Sequence, residues 1–454
     1  MGYHSHIGVL AFPFGSHAAP LLALVRQLAE SSPGTCFSFF NTADCNRAIL
    51  ADHVSPNIKA YDVRDGAPEG AAAAASHMEA IRLFLAASPG NFEAGMEEAE
   101  RAAGVGIGCL ITDAFLWFAA DLAANRRIPW VALWTAAACA LATHMYTQEI
   151  VKAVASPAEA TGESIQQVLS FTPPGLPPLQ IADLQPEIFI DDRNPSPLAA
   201  TINNMVEKLP KSTAVVLNSF EEIDPIVAQD LKSKFNHFLS VGPAALRRLP
   251  QPPPGDDSGC LSWLEKLPTP RSAIYVSFGT VIVPPENELL ALAEALEFCK
   301  FPFLWSLKEA AAKALPEGFL RRTAEYGRVV PWAPQPWILR HGSVGLFVTH
   351  GGWNSILESI CGGVPMVCRP FFGDQKLNGK MVEDSWKIGV RVRDGVFRKD
   401  ETVRVLQRMM SSREGDDARE NVVKMKEKAE KAVGNDGSST KNFKKLLEII
   451  GISK

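Results

Sequence analysis

The chain has 454 residues, too many for one ordinary hydrophobic core, so two domains of about 200 residues each are expected. Hydrophobic residues make up 46% and charged residues 21%, which excludes a disordered or fibrous protein. A net charge of −5 and a pI near 6.0 argue against a nucleic-acid binder, which would usually show a basic face.

From the N-terminus, short apolar runs with little polar alternation predict strands at 6–12, 36–41, 58–63, 108–113, 130–135, 214–219 and 237–242. Between them, residues 17–30 set Leu21, Leu24, Val25 and Leu28 on one stripe, and residues 115–125 read as a second helix. Strand-helix repetition of this kind predicts a doubly wound α/β domain over residues 1–248. The stretch 150–210 mixes helix-like and proline-rich pieces and takes no assignment. Residues 249–259 hold consecutive prolines and read as a stiff linker. Behind it the alternation restarts in a second domain over 260–434. Strands are expected there at 273–278, 301–307, 328–331, 345–349 and 364–368, and helices at 286–299, 353–361 and 375–387. Charged helices at 399–412, 416–433 and 438–451 close the chain. The last of them, within 435–454, is expected to cross back onto the first domain, and two α/β halves so joined would leave a cleft between them.

Eight cysteines lie scattered without zinc-ligand spacing, several inside apolar runs, and read as buried reduced thiols. The opening residues show no signal-peptide pattern, no run of about 18 apolar residues could span a bilayer, and no glycosylation sequon occurs. A cytoplasmic monomer is expected, with no membrane span and no nucleic-acid partner.

Three familiar patterns fail. Gly104-Val-Gly-Ile-Gly108 has Cys109 where a dinucleotide fingerprint needs its last glycine, and it precedes a strand instead of following one. That counts against a nicotinamide dehydrogenase. The run Gly373 to Gly379 has one residue too many for a phosphate-binding P-loop and lacks its Ser or Thr. No Asp-x-Asp pair occurs to seat a divalent metal on a diphosphate, so no metal is expected and protein dipoles must hold such a group.

The segment Trp332–Gln375 carries most of the chemistry. His350 closes a buried strand, and Gly351-Gly352 turn the backbone into a helix whose first turn holds Asn354 and Ser355. Free N–H groups and the helix dipole there suit an anion such as a diphosphate. Glu358, one turn on, can accept from ribose hydroxyls, and Trp332 offers a flat face to a base. Asp374 and Gln375 follow another strand end and suit a polyol. Singly, each residue has an ordinary structural explanation as cap or core. Together they place base platform, phosphate cap, ribose carboxylate and polyol pair in chain order.

The segment resembles the signature box of plant secondary-product glycosyltransferases, which begins Trp-Ala-Pro-Gln, contains His-x-Gly-Trp-Asn-Ser and ends Asp-Gln; the match runs without a gap. The resemblance implies a GT-B fold of two Rossmann-like domains facing each other across a cleft, with a UDP-sugar held by the second. It implies that Trp332 and Gln335, with Ala333, hold uracil, that Glu358 holds the ribose, and that His350, Asn354 and Ser355 hold the phosphates. Trp353, Asp374 and Gln375 would hold the sugar. The final glutamine goes with UDP-glucose in this family, and a histidine often with UDP-galactose. Ser277-Phe-Gly-Thr280 resembles the family's strand-end loop, with Thr280 near the phosphates, although a simple glycine turn competes with that reading.

In the first half, His17 stands at the carboxyl end of a parallel strand, where ligands bind. A lone histidine at a helix start is more often a cap. Asp113, ending an apolar strand, needs a partner if buried and could orient and support an imidazole base. The resemblance implies that pair: His17 deprotonates the acceptor, Asp113 supports it, and the sugar linkage inverts from α to β. Thr135 resembles the residue that bonds the sugar, while Ala136-Ala137-Ala138 departs from the family's Ala-Gly-Pro. Phe12, Phe14, Gly15, Phe115, His144, Phe371 and Phe372 could line an aromatic acceptor pocket. Wider similarity, through Leu10–Phe14, Asp113–Phe118, Arg369–Gln375 and Leu377–Asp384, is to flavonoid 3-O-glucosyltransferases that act on anthocyanidins and flavonols. Alternatives are UDP-galactose as donor, another phenolic or terpenoid acceptor, or a non-catalytic binder of UDP-sugar or flavonoid, which would have no need of His17 and Asp113.

Overall fold

The computed structural model describes residues 3–50, 55–68, 76–154, 167–189, 196–247 and 258–452. Two wholly parallel sheets organise them. The first holds β1 (Ser5–Leu10), β2 (Thr35–Thr42), β3 (Ile58–Val63), β4 (Cys109–Asp113), β5 (Trp130–Trp134), β6 (Ala214–Leu217) and β7 (Phe238–Ser240). Their spatial order is β3-β2-β1-β4-β5-β6-β7. The second holds β8 (Ala273–Ser277), β9 (Phe303–Ser306), β10 (Gly327–Val330), β11 (Val344–Thr349), β12 (Met366–Cys368) and β13 (Gly389–Arg391), in the order β10-β9-β8-β11-β12-β13. In each sheet the order reverses beside the first strand, between β1 and β4 and between β8 and β11. Strand ends splay apart at such switch points, and ligands enter there.

These strands are buried on both faces, as continuous apolar runs require. All five residues of β4, β5 and β8 are buried. The helix Ala18–Ser31 lays Leu21, Leu24, Val25 and Leu28 on the first sheet, each about 5% exposed or less. Each such side chain contributes ~1.5–3 kcal/mol gross to folding.

The chain divides into two compact units. The first comprises Met1–Lys152, Pro186–Ala244 and Asn435–Lys454; the second comprises Ala153–Gln185 and Ala245–Gly434. Residues 153–185, expected in the first domain, therefore group with the second. Among the described residues of this stretch, Ile181–Asp183 packs on the helix Gln375–Lys380, and Asp183 accepts from Arg391 Nη1 at 2.7 Å and faces Lys380 Nζ at 3.7 Å. The final helix, Ser438–Ile449, adds Phe443 and Leu446 to the core of the first unit, with Ile450 just beyond it. Asn442 of this helix donates to Glu221 Oε1 (2.8 Å) and to the Ser240 carbonyl (3.0 Å). The proline-rich linker lies almost wholly outside the described residues.

The expected helix over 375–387 is an α-helix only over Gln375–Lys380, continued by a π-helical turn at Met381–Ser385. None of the eight cysteines forms a disulfide, and six are buried. No helix among the described residues is long and apolar enough to cross a membrane.

Candidate active site

In the first unit three strand ends converge. After β1 the chain turns through Gly15 (φ +64°) into the helix Ala18–Ser31, with His17 at its N-cap position. The imidazole does not cap the helix. It pairs instead with Asp113 at the end of β4, Nδ1 lying 2.8 Å from Oδ2. Asp113 is 1% exposed, and its other oxygen accepts from the Phe115 backbone N–H at 2.9 Å. A buried carboxylate so held assigns the imidazole proton to Nδ1 and makes Nε2 the basic nitrogen. Thr135, just past β5, brings Oγ1 to 3.2 Å from the same Nδ1.

Aromatic rings enclose this group. Phe115 and Phe12 lie 4.6 and 5.2 Å from the His17 ring, centre to centre, and Phe14 lies 5.2 Å from Phe12. His144, on the helix Ala138–Met145, is buried and stands edge-on to Trp134 at 5.8 Å. Two residues of the helix His77–Ala103 join the cluster without having been anticipated: Phe84 touches Phe12 and Phe14, and His77 touches Phe14. That helix carries Pro89 inside it and shows little apolar periodicity, so no signal pointed to them.

In the second unit β11 ends at Thr349, and Gly351 and Gly352 lead into the helix Trp353–Gly362. The His350 ring lies so close to the backbone that a Cβ on Gly352 would stand 2.5 Å from its Nε2, and one on Gly279 would stand 3.1 Å from its Cε1. A side chain at Gly352 would push the His350 ring from its place, and Gly279 needs its φ of +76°. Burial pushes the His350 imidazole down to about 4, so it is neutral at neutral pH. The N–H groups of Asn354 and Ser355 belong to the helix's first turn, where an anion is favoured.

Gln335 ties this helix to its neighbours. Its Nε2 donates to Ser355 Oγ (3.0 Å) and Glu358 Oε2 (2.8 Å), and its Oε1 accepts from Tyr275 at 3.3 Å. Burial raises the Glu358 carboxyl above its ordinary value, opposed by the Gln335 bond. Trp332, 60% exposed, presents its indole to solvent, while Ala333 is buried. Ser277 is buried at the end of β8, and Thr280 is exposed with its carbonyl accepting from Lys308 at 2.7 Å.

Three of the expected sugar and acceptor residues are less open in the structure than the sequence reading assumed. Gln375 was expected to donate and accept toward a sugar. Its Oε1 accepts from the backbone N–H groups of Phe371 (2.9 Å) and Phe372 (3.3 Å), which occupies the oxygen and leaves the amide N–H groups as what Gln375 can offer a ligand. Trp353 is 4% exposed and packs 6.1 Å from Trp386, which leaves its backbone, not its ring, to meet a ligand. Phe371 is half-buried, with its ring against the Arg369 guanidinium at 3.7 Å and edge-on to Phe278. Phe372 is 47% exposed. Asp374 Oδ2 accepts from Asn378, which also donates to the Gly351 carbonyl at 3.0 Å and so links the two loops. Asn378 and Tyr275 were not anticipated, although Asn378 lies three residues past the Asp-Gln pair.

The chain is similar to known proteins along nearly its whole length. A family profile described as "UDP-glucoronosyl and UDP-glucosyl transferase" matches residues 265–427. A flavonol 3-O-glucosyltransferase of Actinidia chinensis var. chinensis is 49% identical, over 99% of this chain and 97% of the relative. An anthocyanidin 3-O-galactosyltransferase of the same plant is 43% identical, over 98% and 97%. The crystal structure of a UDP-glucose: anthocyanidin 3-O-glucosyltransferase in complex with UDP superposes with a TM-score of 0.90, at 38% identity and full coverage of both chains.

Proposed function

The chain belongs to the UDP-glycosyltransferase family of GT-B fold, and from that premise we propose that it moves glucose from UDP-glucose to the 3-hydroxyl of a flavonol or anthocyanidin. The observation that carries this reading is the His17–Asp113 pair at 2.8 Å, set among Phe12, Phe14 and Phe115. A flat phenolic acceptor finds apolar ring faces there and a base beside its hydroxyl.

In the proposed mechanism His17 Nε2 takes the proton of the acceptor hydroxyl. The oxygen attacks the anomeric carbon, its bond to UDP breaks, and the linkage inverts from α to β. The Asp113 carboxylate stabilises the imidazolium that forms. The donor lies on the second unit. Trp332 stacks on uracil, Gln335 and Glu358 serve base and ribose, and the N–H groups of Asn354 and Ser355 face the diphosphate. His350, neutral, offers a hydrogen bond there and no charge. Asp374 accepts from the sugar hydroxyls and the Gln375 amide donates to them. The relatives' names support a flavonoid acceptor, and the galactosyltransferase among them supports UDP-galactose as the second donor to test.

The test is UDP release, measured with UDP-glucose and UDP-galactose against flavonols, anthocyanidins and simple phenols. We expect the highest kcat/KM for UDP-glucose with a flavonol or anthocyanidin. Preference for galactose would overturn the donor assignment, and equal use of simple phenols would overturn the acceptor assignment.

A further inference from the structure

A cavity of about 710 Å³ opens in the second unit, at the carboxyl ends of β12 and β13 and against the helix Lys399–Ser411. None of the proposed donor-binding residues from Ser277 to Gln375 lines it. Its volume falls within the range of small-molecule sites, roughly 300–1,000 Å³.

Its charges are unevenly matched. Four carboxylates line it, and all are paired. Asp183 and Glu383 share Arg391, at 2.7 and 2.8 Å, while Asp394 and Glu401 share Arg398, at 3.1 and 3.2 Å. Of the lining cations, Arg408 faces Glu414 at 3.4 Å. Lys376, Arg393 and Arg404 have no ionic partner among the described residues. They come from three elements: Lys376 from the helix Gln375–Lys380, Arg393 from the turn after β13, and Arg404 from the helix behind. Because Arg391 and Arg398 each serve two carboxylates, the lining's five cations exceed its four carboxylates by one; the three cationic side chains without an ionic partner are the donors this concave surface can offer an anion.

We propose that this cavity is a second ligand site, separate from the donor site, and that it binds a small phosphorylated molecule carrying two or more negative charges. Donor number favours a phosphate: two guanidinium groups and an ammonium from three elements offer more N–H groups than one carboxylate can accept from. A phosphate ester offers compact double charge, and its oxygens fit the guanidinium fork bidentately. The proposal is independent of the acceptor and sugar assignments.

The experiment is calorimetric titration of the whole protein with inorganic pyrophosphate in saturating UDP, so that any donor-site binding is already taken. Pyrophosphate should bind, more weakly as salt rises, and Arg393→Ala/Arg404→Ala should weaken binding by about tenfold or more. Both arginines are exposed, so the variant should keep the wild-type melting temperature and its transfer rate without added anion. Arg404→Glu, as a single change, should weaken binding at least as much as Arg404→Ala. Absence of pyrophosphate binding, or equal binding by the double variant, overturns the site. Equal affinity for citrate overturns its assignment to phosphates.

Discussion

His17 and Asp113 are 96 positions apart in the chain and 2.8 Å apart in the fold. Adjacent parallel strands, β1 and β4, deliver both to one end of the sheet. If His17 is the base, His17→Ala removes proton transfer from the acceptor and leaves donor contacts alone. Turnover should fall about 10²–10⁴-fold while UDP affinity by calorimetry stays near wild type. A variant that kept more than half its turnover would rule out the assignment. Asp113→Asn should also lower turnover, because its single amide oxygen cannot accept from both the His17 Nδ1–H and the Phe115 N–H as the two carboxylate oxygens do, and the charge is gone as well. Gln375 allows its two faces to be separated. Gln375→Glu keeps the oxygen that holds the Phe371 and Phe372 N–H groups but loses the outward donor. It should lower kcat/KM for UDP-glucose about tenfold with little change in melting temperature. Gln375→His loses that double acceptor as well, so it should both loosen the loop and reduce the preference for glucose over galactose. Side-by-side donor kinetics and thermal melts of the two variants test this; identical behaviour would contradict it.

At the scale of elements, the strand-end loop that carries Asp374 and Gln375 is fastened by a buried ion pair. Arg369 meets Glu288 of the helix Glu286–Cys299 through two hydrogen bonds, one of 2.9 Å, and Glu288 also accepts from the Phe397 N–H at 2.9 Å. Both side chains are under 10% exposed. Removing one partner strands the other charge, so Glu288→Ala should destabilise the second unit by about 3–5 kcal/mol in urea unfolding. A loss under about 1 kcal/mol would mean that Arg369 finds another partner. Such a contact could not be read from the chain, since Glu288 looks like one more polar position on an amphipathic helix. The donor segment was legible because its chemistry is contiguous, and the strands were legible because apolar runs mark burial on both faces. The exception is β13, three residues ending in Arg391, too short and too polar to register. The helix His77–Ala103 was hidden by the Ser88-Pro89-Gly90 interruption, although Pro89 falls past its third turn without ending it. The membership of residues 153–185 in the second unit was invisible for a different reason: Asp183 answers to Arg391, 208 positions away.

For the whole molecule, acid stability follows from buried imidazoles. His350 titrates near 4 in the fold against an ordinary value of 6.5, so between those values the unfolded chain binds more protons. Stability therefore falls as pH drops from about 6.5 toward 4. His6 and His341, also lowered by burial, push the same way. His350→Gln should reduce that acid loss, and urea midpoints at pH 7, 6 and 5 would show it; parallel pH profiles would contradict it. A second global feature is the final helix. Leu446 is fully buried in the first unit's core, so Leu446→Ala should cost about 2–5 kcal/mol in urea unfolding. A cost below about 1 kcal/mol would show that the helix packs only loosely. Because this helix follows the entire second unit in the chain, the first unit cannot close its core during synthesis until about two hundred further residues have left the ribosome. The face that Phe443 and Leu446 later cover stays wet throughout that interval, and the nascent protein carries an open apolar seam that this helix seals only once it has been made.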